Sequence, residues 1–210
     1  MSVVVNEYVT PDCLMGLWEI KEDFDTLYAK VSLEDDEKEM LFSFKNGARQ
    51  VEWLSVRALL NELTQTNSRI IYNEEHKPFL HDNSFNISIS HSNQLTSILL
   101  SKNHQVGIDL EYMSHRISKI AHKFINANEV ITTDKAMIKM HLYVHWCAKE
   151  ALYKICDKKN INFKENLTIK PFEIANEGSI TGIHHNGDIH DEFTMKYQLR
   201  DNYVIVHCNK

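Results

Sequence analysis

The stretch SFNISISHSNQLTSILLSKNHQVGIDLE, residues 84–111, decides how this 210-residue chain divides. From Ser84 to Ser90, Phe85, Ile87 and Ile89 alternate with small polar residues, the period-two pattern of a strand with one buried face. Leu95–Ser101 and Gln105–Glu111 read as further strands, with Lys102-Asn103-His104 as a turn between them. Upstream the pattern is helical. Ser32, followed by Leu33, Glu34 and Asp35, predicts an N-cap with acids in the first turn. Val51, Leu54, Val56, Leu59, Leu60 and Leu63 predict an amphipathic helix from about Ala48 to Leu63.

Downstream the order repeats. Ile117–Phe124 reads as a short helix, and Thr133 as the cap of a long one reaching about Cys156, with Met137, Met140, Val144, Ala148, Ala151 and Ile155 near its core face. Leu167–Cys208 returns to short strands broken by Asn176-Glu177-Gly178 and Asn186-Gly187-Asp188 turns. Helices followed by strands, twice over, predict an α+β fold with two similar halves, 1–104 and 105–210, related by a pseudo-twofold.

Composition narrows the class. With 43% hydrophobic and 25% charged residues the chain can bury a core, and three Pro and six Gly exclude linker-dominated architectures. A net charge of −6 makes it a poor general binder of nucleic acid, which needs surplus Lys and Arg. The start, MSVVVNEYVTPD, carries no secretory pattern, and the longest uncharged run, Asn83–Ser101, is too polar to span a membrane. Cys13, Cys147, Cys156 and Cys208 show no paired spacing, so reduced thiols in a cytoplasmic protein are expected.

Three clusters could carry chemistry. In Val106-Gly107-Ile108-Asp109-Leu110-Glu111 the two carboxylates share one strand face, and Gly107 leaves room for a close approach. A solvated acidic edge and a cation site both satisfy that pattern. In Trp146-Cys147-Ala148-Lys149-Glu150-Ala151-Leu152-Tyr153-Lys154, Glu150 and Lys154 share a helix face with Trp146 one turn earlier. That stripe is either a surface ion pair or, if buried, a site needing a metal or phosphate partner. Ile89-Ser90-His91-Ser92 ends a strand, where hydroxyl and imidazole suit a phosphate or a half-buried histidine. His184, His185 and His190 read as surface turn residues, Met137 and Met140 as core, and Trp18 and Trp53 as packing anchors.

In order and spacing these segments resemble the 4′-phosphopantetheinyl transferases of the larger, monomeric, two-half class. The family shows (V/I)-G-(I/V)-D-x-E and, some forty residues on, W-x-x-K-E-(A/S)-x-x-K; both stand here, at Val106–Glu111 and Trp146–Lys154. Phe124 and Glu129 match its F-x-x-x-x-E element, Lys77-Pro78 its G-K-P turn with His76 at the glycine, and Arg49, Glu52, Trp53 and Arg57 its R-x-x-E-W-x-x-x-R helix. Gln50 stands where relatives often carry a second Arg, and residues 34–39 are acidic where some relatives carry basic residues.

The resemblance implies transfer of the 4′-phosphopantetheine arm of coenzyme A to a serine of an apo acyl or peptidyl carrier protein. It implies Mg²⁺ held by Asp109, Glu111 and Glu150, with Glu150 as general base and Lys154 meeting the developing or leaving charge. It assigns Ser90, His91, Lys149 and Lys154, with Lys77, Arg49 and Arg57, to coenzyme phosphates. An oxygen-only set suits Mg²⁺, which takes few carboxylates and keeps its waters. A monomer is expected, with no nucleic-acid or membrane partner and the site at the seam of the halves.

Charge partition agrees: residues 112–160 carry nine Lys+Arg against four Asp+Glu, a local +5 that leaves −11 elsewhere. A basic block suits an anionic coenzyme and an acidic carrier helix, and a solvated helix face would carry the same residues. The alternatives are a coenzyme A or carrier-protein binding module without turnover, and a metal-dependent phosphohydrolase using the same acids.

Overall fold

A computed structural model describes residues 2–114, 116–156 and 161–210. The chain forms two compact units, Met1–Asn103 and His104–Lys210. Both are mixed α+β with antiparallel sheets, as the sequence predicts.

In the first unit, β1 (Val3–Thr10), β2 (Cys13–Glu19), β6 (Leu95–Ser101) and β5 (Asn86–Ser92) form one sheet in the order β1-β2-β6-β5. A separate hairpin joins β3 (Ile70–Tyr72) to β4 (Pro78–Leu80). The helix α3 (Gly47–Thr64) covers one face of the sheet because its apolar stripe recurs at helical spacing. It buries Trp53, Leu54, Leu59 and Leu60 in one cluster with Trp18, Ile98 and Leu100. Asn46 caps its N-terminus by accepting the Ala48 N–H, and Gln65 ends it in the left-handed region. Trp18 and Trp53 are the packing anchors their size suggested.

Two short helices precede α3: α1 (Phe24–Tyr28) and α2 (Asp35–Ser43). The predicted Ser32 cap is corrected here. The N-cap of α2 is Glu34, in a reciprocal capping box with Glu37. The Glu37 carboxylate serves both the helix start and a buried arginine, Arg57, which draws the start of α2 past Ser32.

The second unit builds a sheet in the order β7-β11-β10-β9-β8 from β7 (Val106–Tyr112), β8 (Leu167–Ile169), β9 (Glu177–Asn186), β10 (Ile189–Arg200) and β11 (Tyr203–Asn209). The helix α5 (Ile138–Ile155) lies on this sheet, and Val144, Cys147, Ala148, Ala151 and Leu152 are wholly buried against Val204, Val206 and Met195. Of these, Val144, Leu152, Val204, Val206 and Met195 each contribute roughly 1.5–3 kcal/mol when fully buried. A short helix α4 (Ile117–Ile120) runs into one 3₁₀ turn, Ala121–Lys123.

Further sequence expectations shift here. The long helix starts at Ile138 rather than Thr133, because Asp134 closes a turn of its own: its carboxylate takes the Ala136 N–H and its carbonyl the N–H groups of Met137 and Ile138. Met137 and Met140 consequently sit half-buried near its entrance instead of in the core. His184, expected at the surface, is buried on β9, and burial pushes its imidazole below the usual histidine range. All four cysteines are free, three of them buried. Lys158 and Lys159 of the basic block lie outside the described residues.

Candidate active site

The GIDLE strand and the WCAKEALYK helix pack face to face. Gly107 makes this possible. A Cβ there would overlap the Ala151 carbonyl oxygen and press on the Ile155 side chain, so the room that glycine provides is filled by the α5 backbone. Asp109 and Glu111, at alternate positions of β7, then meet the α5 residues that follow from helical periodicity. Lys154 Nζ donates to Asp109 Oδ1 at 2.7 Å and to the Ile108 carbonyl at 2.9 Å. Trp146 Nε1 donates to Glu111 Oε1 at 3.2 Å. Asp109 is buried, while Glu111 is half-exposed.

Trp146, Glu150 and Lys154 form a half-buried stripe on a helix that is otherwise mostly buried. Beneath it, Cys147 lies wholly in the core. Burial first, and then the neighbouring Asp109 and Glu111 charges, push its thiol well above its ordinary range, so it is no nucleophile.

Lys149 is the clearest correction within this unit. The sequence predicts a phosphate contact, yet its side chain has no solvent exposure. Its ammonium donates to the Phe124 carbonyl at 2.5 Å, to Glu129 Oε2 at 2.9 Å and to the Phe163 carbonyl at 3.0 Å. Glu129 in turn accepts the Asn126 N–H at 2.8 Å and the Ile169 N–H at 2.8 Å. The F-x-x-x-x-E element and the lysine of W-x-x-K-E are thus one buried clamp. An ammonium making three hydrogen bonds has used all its donors.

For a divalent cation, the donor chemistry and the geometry say different things. Asp109, Glu111 and Glu150 offer only oxygen, the ligand Mg²⁺ prefers, and one or two carboxylates beside substrate phosphates are enough for it. Among the described residues, however, no three His, Cys, Asp or Glu side chains gather around a point fit for a metal. Asp109 is held by Lys154 instead.

The first unit carries its own polar cluster. His91 Nδ1 lies 2.8 Å from Glu52 Oε2, and His91 Nε2 lies 2.9 Å from Arg49 Nη1, which also pairs with Glu52. Here α3 and the end of β5 bring together two of the predicted coenzyme contacts, Arg49 and His91. The linking carboxylate, Glu52, is three residues from Arg49, but its partner on β5, His91, could not be read from spacing. Ser90 is buried in β5, its carbonyl accepting from Ser97 Oγ at 3.1 Å.

Lys77 ends the β3–β4 turn, its backbone N–H on Asn73 Oδ1. His76, at the family's glycine, keeps the left-handed conformation (φ 57°) that explains a glycine there. Arg57 is another correction: it is buried, 3.1 Å from Glu37 Oε1 and stacked over the Trp53 ring. Burial pulls its guanidinium below the usual arginine range, and it holds α2 to α3.

Residues 105–208, nearly the whole second unit, match the 4'-phosphopantetheinyl transferase superfamily, and this unit belongs to that superfamily. Among curated proteins, the chain is similar to the 4'-phosphopantetheinyl transferase gsp of Aneurinibacillus migulanus, 31% identical over 143 residues, which cover 64% of this chain and 60% of the relative. It is also similar to the 4'-phosphopantetheinyl transferase AcpT of Escherichia coli O157:H7, 31% identical over 114 residues, covering 51% of this chain and 58% of the relative. The chain thus spans about three fifths of the length of the relatives it matches. Among the described residues no helix is long and apolar enough to cross a membrane.

Proposed function

We propose that the chain transfers the 4′-phosphopantetheine arm of coenzyme A to a serine of an apo acyl or peptidyl carrier protein, releasing adenosine 3′,5′-bisphosphate. The observation that carries this reading is the superfamily match over residues 105–208, which takes in Asp109 and Glu111 on one strand and Glu150 and Lys154 on the helix packed against it. In the reaction, the serine Oγ attacks the β-phosphorus of the coenzyme pyrophosphate. The bond from that phosphorus to the bridging oxygen breaks, and the serine proton passes to Glu150, directly or through water.

Asp109, Glu111 and Glu150 would hold Mg²⁺, which neutralises charge on the pyrophosphate oxygens when bound. Lys154, which donates to Asp109, would meet the leaving phosphate. Arg49, His91, Ser90 and Lys77 of the first unit are the proposed coenzyme contacts, whereas Lys149 and Arg57 act through packing. The reading extends to a cytoplasmic monomer serving carriers of fatty-acid, polyketide or peptide synthesis. A binding module without turnover would have no use for Glu150 as a base. Incubation with coenzyme A, Mg²⁺ and an apo carrier, followed by weighing the carrier, tests the reading.

A further inference from the structure

Trp146 touches both the buried clamp and a proposed metal carboxylate. Its indole ring stands edge-on to Phe124, with centroids 5.1 Å apart, and tilts against Phe163 at 5.6 Å. These are the two residues whose carbonyls bind the Lys149 ammonium, at 2.5 and 3.0 Å. The clamp therefore fixes both walls of the slot in which the indole lies. From that slot Nε1–H donates to Glu111 Oε1 at 3.2 Å.

We propose that Trp146 is a positioning residue: held by the Glu129–Lys149 clamp, it orients the Glu111 carboxylate for the divalent cation. This role rests on the metal function proposed above for Glu111. A carboxylate has lone pairs enough to accept the indole proton and still face a cation. The neutral N–H donor restrains the rotation of Glu111 without adding a charge that would compete with the metal. Partners of this kind around metal ligands typically change affinity by about 10–100-fold. The same arrangement explains why a buried ion pair, weak as a source of stability, stands beside the site.

The test uses the full chain with coenzyme A and no carrier, so that nothing turns over. With three tryptophans in the sequence, ¹⁵N-indole spectra give three resolvable signals. On adding Mg²⁺ the Trp146 signal shifts, whereas those of Trp18 and Trp53, buried in the other unit, serve as internal references. Glu111→Gln abolishes that shift. Trp146→Phe, which keeps a ring against Phe124 and Phe163, weakens Mn²⁺ binding by about 10-fold or more while leaving the coenzyme Kd within about twofold. In the Glu111→Gln background the same substitution adds nothing further.

A Trp146 signal indifferent to Mg²⁺, or a Trp146→Phe protein binding Mn²⁺ like wild type, overturns the positioning role. If wild type still loads a carrier in either case, the transferase reading stands. Wild type that neither binds a divalent ion nor loads any carrier overturns both. The spectra are taken on the unmodified chain, so they decide the matter even if Trp146→Phe does not fold.

Discussion

Lys149 Nζ lies 2.9 Å from Glu129 Oε2, and neither side chain has any solvent exposure. Around this pair the second unit ties α5 to the segments carrying Phe124, Glu129 and Phe163, and through Glu129 to β8. Burial alone pulls the lysine below its usual range, and the Glu129 charge opposes that shift. Every donor of the ammonium and both carboxylate oxygens have partners.

Removing one member of the pair therefore costs more than removing both. Lys149→Met strands the Glu129 carboxylate in the core and should destabilise the protein by about 3–5 kcal/mol. Lys149→Met combined with Glu129→Leu should recover a large part of that loss. Urea unfolding of the single and double variants measures both values, and equal midpoints for the two would remove the clamp from the account.

Gly107 offers a sharper steric case. Alanine there would set its methyl group into the Ala151 carbonyl, and backbone cannot yield as a flexible side chain can. Gly107→Ala should lower stability by at least about 2 kcal/mol, in the upper part of the overpacking range, and displace α5 from β7. Denaturant midpoints read the stability, and transfer rates read the displacement of Glu150 and Lys154.

Acid should weaken the fold before the carboxylates titrate. Burial depresses His145 to about 3 and His207 to about 4. Both are therefore neutral in the folded state, while in the unfolded chain they take up protons below about pH 6.5. Their stabilising contribution is full above that value and is lost as pH falls toward the folded values, by at most about 1.4 kcal/mol per pH unit for each histidine. His145→Leu should flatten the stability profile between about pH 6.5 and 5, seen in urea titrations at fixed pH values. An unchanged slope would contradict the burial argument.

Glu150→Gln keeps the shape of the side chain and removes its basicity. It should abolish transfer, a loss of at least about 100-fold, while coenzyme binding by calorimetry stays largely intact. Wild-type turnover by this variant would dismiss Glu150 as the base.

Much of the architecture could be read directly from side-chain periodicity. The 3.6-residue stripe located α3 within a residue at each end, and alternation located β5, because both patterns record which face is buried. Local polar groups decided what periodicity missed: Asp134 holds the start of α5 back to Ile138, and Glu37 moves the cap of α2 to Glu34. The site followed the same division. Asp109 and Glu111 on one strand face, and Trp146, Glu150 and Lys154 on one helix face, follow from geometry within single elements. Their pairing across elements, Lys154 with Asp109 and Trp146 with Glu111, depends on helix–sheet packing that spacing does not encode. Lys149 shows the hazard of spacing alone, since its position beside Glu150 gave no sign that it points into the core.

The central claim, that this chain loads carrier proteins, is tested most directly by mass spectrometry of an apo acyl carrier protein after incubation with the full chain, coenzyme A and Mg²⁺. The account predicts a gain equal to one phosphopantetheine arm on the acceptor serine, absent when that serine is alanine or when Glu150→Gln replaces wild type. A carrier mass unchanged across acyl and peptidyl carriers would contradict it.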